Sequence, residues 1–138
     1  MACYLIGIET EAELRKSPLL GTIFEGFIAA EMLKSQLNAG RRRELYYFRD
    51  QQGLEVDFLV PRKGGGICLI EAKASRTVTP AMAVPMLRLA ASWKTRPGPK
   101  RPLEMYVVNE APKAGEQTRT IAPGAKVASW QEFLASVL

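Results

Sequence analysis

The sequence predicts a single α/β domain with a mixed sheet flanked by helices, and three observations lead to that prediction. The chain has 138 residues, a length that fits one domain and allows a substantial core. Its hydrophobic fraction is 47% and its charged fraction is 24%, a normal globular balance. Segments with helical and strand-like patterns follow in the order helix, three strands, helix, strand, a candidate short strand and a closing helix.

Two helix starts are marked in the first forty residues. Thr10 predicts the N-cap of a brief helix over residues 11–16. Ser17-Pro18 combines an N-cap with proline at the first helical position, and the helix it opens runs to about Leu37, before the stop signal at residues 38–40. A period of 3.6 residues places six apolar residues of this long helix on one face: Leu20, Ile23, Phe24, Phe27, Ile28 and Ala30.

Three strands are expected next, as an antiparallel meander. Residues 44–49 (ELYYFR) are aromatic-rich, and we expect one of the two tyrosines in the core because adjacent side chains of a strand face opposite ways. Residues 50–53 (DQQG) have the composition of a hairpin turn. Residues 67–73 (ICLIEAK) form a nearly continuous apolar run, which predicts a central strand. Between them, residues 54–60 alternate, with Val56, Phe58 and Val60 on one face and Glu55, Asp57 and Leu59 on the other.

The second half of the chain returns to helix and strand patterns. Thr79-Pro80 again combines an N-cap with an N-terminal proline. The predicted segments are a helix over residues 80–92, a basic loop over 94–102, a strand over 103–108, a polar loop over 111–117, a candidate strand over 118–122, and a closing helix over 130–138 with Ser129 as its cap. The helix over 80–92 is expected to use Met82, Met86, Leu87, Leu89 and Ala90 in packing.

Composition restricts the chemistry available to this chain. It contains two cysteines, Cys3 and Cys68, and no histidine, which argues against zinc ligation and against a disulfide framework. The lack of histidine removes Ser–His and Cys–His nucleophiles and every histidine general base. Catalysis must therefore use carboxylates, lysine, tyrosine or a metal ion.

The net charge and the hydropathy pattern bear on partners and location. A formal net charge of +5 suits a polyanionic partner, and it equally suits a protein that is merely kept soluble by its charge. No apolar run reaches the roughly 18 residues that span a bilayer, so we expect no membrane partner. Glu9, Glu11 and Glu13 come too early for a signal peptide. We therefore expect a cytoplasmic protein.

A group of charged residues at the ends of two predicted strands indicates a metal site. Glu71 and Lys73 lie two apart at the end of an apolar strand, so both project from one face. The hairpin can bring Asp57 beside Glu71, and two carboxylates form a hard oxygen site suited to Mg²⁺ or Mn²⁺. A nearby lysine can orient water and stabilise charge on a phosphoryl group. The alternative is that Glu71 and Lys73 form a solvated, mutually neutralising pair.

The same residues carry a resemblance to a known family. A helix carboxylate, then a strand Asp, then an apolar strand that ends in Glu-x-Lys is a pattern that resembles the PD-(D/E)XK, or restriction-endonuclease-like, nuclease superfamily, and the segments ACYLIGI, PLLGTIFEGFIAAEML, YYFRDQQGLEVDFLV and ICLIEAKAS carry the closer resemblance that follows. More closely, residues 2–137 resemble the C-terminal domain of unknown function found in bacterial and archaeal AAA-type ATPases. The resemblance implies an αβββαβ core, a divalent metal held by Asp57 and Glu71, and a Lys73 that assists the attacking water. It places the helix glutamate of the superfamily at Glu25.

The resemblance also suggests domain organisation, partners and an alternative function. Residues 1–138 are expected to form one nuclease-like domain, in which residues 1–16 are an extension that would join an ATPase domain absent from this sequence, since no GxxxxGK[ST] motif is present. The expected activity is phosphodiester hydrolysis of DNA, with RNA not excluded. An ATPase domain or a second copy of the chain are further candidate partners. The alternative is a catalytically idle module that binds nucleic acid or protein.

Further charged residues are candidates for a supporting role. Glu31 falls within the apolar face of the long helix, and it is either a second-shell partner of the site or a surface residue. Glu55 shares a face with Asp57, and we favour an ion pair with Arg49 across the hairpin over a role as a further ligand. Two basic clusters, residues 41–43 and 94–101, suit either a phosphate backbone or solvent, and for the first we favour solvent.

Overall fold

Six strands form one mixed sheet that lies between helices on both of its faces, as the computed structural model shows for residues 2–95, 97–110 and 118–136. The strands are β1 Tyr46–Arg49, β2 Glu55–Pro61, β3 Ile67–Lys73, β4 Leu103–Asn109, β5 Arg119–Ala122 and β6 Ala125–Ser129. The helices of the described residues are α1 Ala2–Leu5, α2 Glu11–Lys16, α3 Leu20–Asn38, α4 Val84–Lys94 and α5 Trp130–Ser136. The predicted α/β class and mixed sheet are confirmed.

The strand order in the sheet is β1-β2-β3-β4-β6-β5. The first three strands form the predicted antiparallel meander, and β3 is internal, as its apolar sequence predicts. β4 runs parallel to β3 and β6 runs parallel to β4, while β5 pairs antiparallel with β6. The crossover from β3 to β4 passes through α4. β6 was not predicted, since its small residues (AKVAS) lack the aromatic and β-branched enrichment of a typical strand.

The helix starts agree in part with the predicted ones. Thr10 caps α2 as predicted, and the side chain of Glu13 completes a capping box. α3 begins at Leu20, later than the Ser17-Pro18 signal, and Ser17 Oγ accepts a hydrogen bond from the Leu19 N–H at 3.1 Å. The helix predicted over 80–92 begins with a 3-10 turn at Pro80–Ala83, before α4. Ser129 caps α5 as predicted, whereas the loop predicted over 111–117 and the last two residues of the closing helix lie outside the described residues.

The apolar face of α3 is narrower than predicted. Its buried residues recur at every fourth position: Phe24, Ile28, Met32 and Gln36. Ala30 is exposed, and Phe27 is 38% exposed and packs edge-on against Trp130, with ring centroids 5.0 Å apart. The prediction was wrong for these two residues because a single i,i+4 ridge of the helix contacts the sheet.

A bulge in β2 changes the predicted alternation of that strand. Between the pairs Tyr46–Leu59 and Phe48–Val56, β1 advances two residues while β2 advances three. Val56 therefore packs with Leu59 on the α4 face of the sheet, and it does not share a face with Phe58. Phe58 and Val60 share a face as predicted, but the placement of Val56 with them was wrong because an inserted residue reverses the alternation.

The edge strand β1 leaves both of its tyrosines in solvent. Tyr46 is 55% exposed and Tyr47 is 78% exposed, so the prediction that one of them lies in the core was wrong. β1 has a neighbour on one side only and pairs over just four residues. Within the described residues, no helix is both long enough and apolar enough to cross a membrane.

Candidate functional site

β2 and β3 separate at the point where Asp57 lies. Their regular antiparallel pairing ends with Phe58 opposite Ile70. Beyond that pair, the backbone N–H of Ala72 donates a hydrogen bond to Asp57 Oδ2, with 2.8 Å between nitrogen and oxygen. The carboxylate thus takes the place of a backbone acceptor that the departing strand no longer supplies. The bulge in β2 and this separation together open a crevice between the two strands.

Asp57, Glu71 and Lys73 meet in this crevice, as the sequence predicted. Lys73 Nζ lies 2.7 Å from Glu71 Oε2 and 3.5 Å from Asp57 Oδ2. The side chains of Asp57, Glu71 and Lys73 are 18%, 4% and 32% exposed, so the group runs from the sheet interior to the surface. The alternative of a fully solvated pair does not fit the burial of Glu71.

Glu71 is the most unusual member of this group. Its Oε1 is buried and has no hydrogen-bond partner among the described residues. Burial raises the pKa of its carboxyl from the ordinary value of 4.5 to about 7, an effect that the hydrogen bond from Lys73 only partly offsets. A buried carboxylate oxygen without a donor is costly, because desolvation is not repaid. This oxygen is therefore available to a ligand that supplies positive charge.

Lys73 provides the positive charge of the group. Its burial alone would lower the pKa of the ammonium, but the hydrogen bond to Glu71 and the charge of Asp57 outweigh that effect and raise the pKa. The ammonium therefore stays protonated near neutral pH. It can donate hydrogen bonds to water or to a phosphoryl oxygen, and it is unsuited to act as a general base.

Two hollows open from the crevice, one on each face of the sheet. The α4-side hollow, of about 300 Å³, is lined by Asp57, Glu71 and Lys73 together with Val84, Pro85 and Arg88 of α4, among others. The α3-side hollow, of about 480 Å³, is lined by Asp57, Glu25, Tyr47 and Arg49, among others. Asp57 lines both, because it lies where the strands separate. The four residues predicted as one site are thus divided between the two faces.

Glu25 approaches Asp57 from the α3 side. Burial raises the pKa of its carboxyl, and the negative charge of Asp57 raises it further, while the charge of Lys73 lowers it. Glu25 therefore lies within electrostatic reach of the crevice. No hydrogen bond joins it to Asp57 or Lys73 in the described part of the chain. Glu25 therefore lies beside Asp57, Glu71 and Lys73 and makes no hydrogen bond to them in the described part of the chain.

The donor set of the crevice suits a hard divalent cation. Asp57 and Glu71 offer carboxylate oxygens, and one of these, Glu71 Oε1, has no partner. No cluster of three or more Asp, Glu, Cys or His residues with metal-binding geometry occurs among the residues that the structure describes. Mg²⁺ commonly keeps several waters and uses one or two carboxylates, so two protein carboxylates fit such an ion.

The structure places the residues predicted to support the site in different surroundings. Arg49 and Glu55 form the favoured ion pair, with 2.9 Å between Arg49 Nε and Glu55 Oε1, and Glu55 also lines both hollows. Glu31 pairs with Lys34 on the next turn of α3 and lines neither hollow. Of the two interpretations left open for Glu31, these contacts favour the surface residue.

Two residues near the crevice were missed by sequence reasoning. Arg88 is exposed, lines the α4-side hollow and forms no ion pair or hydrogen bond among the described residues. Asn109, which is 4% exposed, lies opposite Lys73 on β4, and its Nδ2 donates to Ser75 O at 3.2 Å, which holds the chain that leaves β3. No neighbouring sequence pattern marks either residue as part of the site, since both reach it through the packing of α4 and β4 against β3.

Comparison with known proteins gives one match. A family model described as a domain of unknown function (DUF4143) matches residues 20–124. This range runs from α3 through β5, and it contains every residue that lines the crevice. No curated protein and no solved structure matches the chain. Because the matched range covers more than half of the sequence, the chain belongs to the DUF4143 domain family.

Proposed function

We propose that this domain hydrolyses phosphodiester bonds in DNA, with Mg²⁺ or Mn²⁺ as its cofactor. One observation carries the proposal: the buried Glu71 has an oxygen without a partner, and it lies in the same crevice as Asp57 and Lys73. An ion pair that served only stability would leave this feature unexplained, because buried ion pairs contribute little and an apolar replacement is often more stable. A carboxylate kept there at a cost suggests a function.

Each residue of the crevice then has a role. Asp57 and Glu71 would hold the metal ion, which when bound supplies Lewis-acid activation of a water and of the phosphoryl group. Lys73 donates hydrogen bonds that orient the water and offset charge on the phosphoryl oxygens. Glu25, whose pKa is raised, assists from the α3 side by accepting a proton from water. Arg88 contacts a neighbouring phosphate at the mouth of the α4-side hollow.

The same proposal includes a restriction-endonuclease-like core. Supporting it are the order α3-β1-β2-β3-α4-β4, the antiparallel meander and the parallel β3–β4 pair. The motif residues Asp57, Glu71 and Lys73 also lie together at the end of β3. A cytoplasmic location and an association with an AAA-type ATPase domain follow from the same resemblance and belong to the proposal.

The test is metal-dependent cleavage by purified protein. Supercoiled plasmid, labelled single- and double-stranded DNA and labelled RNA are incubated with Mn²⁺, with Mg²⁺ and with EDTA. We expect cleavage of DNA with the metals and none with EDTA. Asp57→Asn and Lys73→Met should each lower the cleavage rate at least a hundredfold. Glu31→Gln, which alters a carboxylate outside both hollows, serves as the control and should leave the rate unchanged.

A failure to observe cleavage can be interpreted when Mn²⁺ binding is measured in parallel. Isothermal titration calorimetry with Mn²⁺ reports on the site independently of turnover. Absence of both cleavage and Mn²⁺ binding in the folded protein would show that the proposed activity is wrong. Cleavage that persists in Asp57→Asn and Lys73→Met would point to a contaminating nuclease.

A second candidate function is an idle module that binds nucleic acid, an ATPase domain or a second copy of the chain. Two observations favour it. Lys73 already lies within 3.5 Å of both carboxylates, so the group is partly compensated without a metal. Tyr4 and Leu5 of α1 are 77% and 74% exposed, and such apolar exposure is typical of contact surfaces. Salt-dependent DNA binding without Mn²⁺-dependent cleavage would favour a nucleic-acid module, whereas dimers in size-exclusion chromatography would favour self-association.

A further inference from the structure

A cavity of about 430 Å³ lies at the far end of the sheet from Glu71 and Lys73. Its floor is apolar and consists of Ile67 at the start of β3, Leu103 at the start of β4, and Ala90 of α4. A strand rises about 3.3 Å per residue, so along β3 this cavity lies about 13 Å from Glu71 and about 20 Å from Lys73. It is a separate site, and none of the crevice residues lines it.

The walls of this cavity combine an indole ring with several positive charges. Trp93 and Lys94 come from the last turn of α4, and Lys100 and Arg101 come from the loop that precedes β4. Among the residues that the structure describes, no acidic side chain lines the cavity. In the described ranges, these three cations form no ion pair and no hydrogen bond. The cavity therefore has a flat aromatic surface beside positive charge that no described residue neutralises.

We propose that this cavity binds a nucleoside phosphate, either as a free nucleotide or as one unit of a nucleic-acid strand. Trp93 stacks on the base, an interaction that accepts any base because every base has a π-face. Lys100 and Arg101 bind the phosphate, with Arg101 able to make two parallel hydrogen bonds to its oxygens. Lys94 adds positive charge at the end of α4, where the helix dipole would otherwise repel an anion.

The size and the stiffness of the cavity support this ligand class. Small-molecule sites commonly enclose about 300–1,000 Å³, and a base with its sugar and phosphate falls within that range. Three prolines of the loop, Pro97, Pro99 and Pro102, line the cavity. Proline fixes φ near −65°, so three backbone positions next to Lys100 and Arg101 are restricted before a ligand binds, which lowers the entropy cost at those positions.

The test uses Trp93 as a fluorescent reporter. The chain contains two tryptophans, so Trp130→Phe leaves Trp93 as the only indole while keeping an aromatic ring against Phe27. This protein is titrated with adenosine monophosphate, with an eight-residue oligothymidylate and with inorganic phosphate, in EDTA and at fixed ionic strength. We expect saturable quenching by at least one of the two ligands that carry a base, and displacement of that ligand by phosphate only at much higher concentration.

Charge variants then locate the binding site. Lys100→Ala/Arg101→Ala, in the Trp130→Phe background, should weaken binding at least fivefold. The control Lys16→Ala/Lys34→Ala removes the same charge from α2 and α3 and should weaken binding less than twofold. Circular dichroism confirms that each variant is folded, which we expect because all four side chains are exposed.

The results distinguish a free nucleotide from a nucleic-acid strand as the ligand. They also show whether the ligand binds in this cavity or in the crevice proposed for phosphodiester cleavage. Saturation by the mononucleotide indicates a free nucleotide, and saturation by the oligonucleotide alone indicates a strand; both support the site. No saturable quenching by either ligand, or equal weakening by the control variant, would overturn it. Asp57→Asn should leave the affinity unchanged, and loss of binding in that variant would overturn the proposal by assigning the ligand to the crevice.

Discussion

Replacing Glu71 by glutamine should stabilise the metal-free protein at alkaline pH, although it removes a residue of the proposed active site. The pKa of the Glu71 carboxyl is raised from 4.5 to about 7, a difference of roughly 2.5 units. Each unit corresponds to about 1.4 kcal/mol, so ionised Glu71 costs the fold up to about 3–4 kcal/mol. The Glu71→Gln side chain is uncharged and nearly isosteric, and it avoids this cost. Lys73 loses one partner but is 32% exposed, so water compensates and a gain of about 1–3 kcal/mol remains.

The sign of the pH dependence is fixed by the direction of the pKa shift. Between pH 4.5 and about 7 the folded protein retains a proton on Glu71 that the unfolded chain has released. The free energy of unfolding therefore falls as pH rises through this window. Glu71→Gln lacks this group, so the two proteins should have equal stability near pH 4.5 and should diverge up to pH 8.

The assay is thermal unfolding followed by circular dichroism, in EDTA, at several pH values from 4.5 to 8. For a domain of this size, 1 kcal/mol shifts Tm by roughly 3–5 °C, so we expect Glu71→Gln to melt about 3–15 °C higher at pH 8. Glu31→Gln changes the net charge equally outside the site and is the control. Equal pH slopes for the wild type and Glu71→Gln, or a lower Tm for Glu71→Gln at pH 8, would refute the reasoning.

Other predictions concern the metal, the crevice, the buried amide of α3 and the hairpin turn. Mn²⁺ at a hundredfold excess over its Kd should stabilise the wild type by about 2.7 kcal/mol, and Glu71→Gln should lose this gain in thermal melts. Asp57→Ala leaves the Ala72 N–H without its acceptor and should cost about 1–3 kcal/mol in urea unfolding, whereas Asp57→Asn should cost less. Gln36 bonds both backbone groups of Glu44, at 2.9 and 3.1 Å, so Gln36→Ala should cost about 1–3 kcal/mol while Lys34→Ala costs under about 0.5. Gly53 has φ +82°, and Gly53→Ala should cost about 1–2 kcal/mol.

The elements that the sequence predicted well are those with local signals. The N-cap at Thr10, the hairpin turn before β2 and the apolar run of β3 each depend on neighbouring residues, and each is confirmed. The pairing of Glu71 with Lys73 follows from strand periodicity in the same way. Such features can be predicted because their geometry spans only a few residues.

Features that depend on packing between distant segments were not predictable in the same way. The bulge in β2 reflects how β1 pairs with it, and nothing in residues 54–60 marks the inserted residue. Arg88 reaches the crevice only because α4 crosses the sheet beside β3. The role of Glu31 stayed open because an ideal helical angle cannot show which narrow ridge of α3 contacts the sheet.

The position of Asp57 has a consequence for any interpretation of loss-of-function variants. Its Oδ2 accepts the Ala72 N–H where the two strands part, so the carboxylate supports the sheet before any chemistry is considered. An alanine at this position would disturb the end of β3, and with it the placement of Glu71 and Lys73. Asparagine retains an oxygen acceptor for that N–H but removes the negative charge. Only an Asp57→Asn variant that stays folded and loses metal binding separates a ligand role from a structural one.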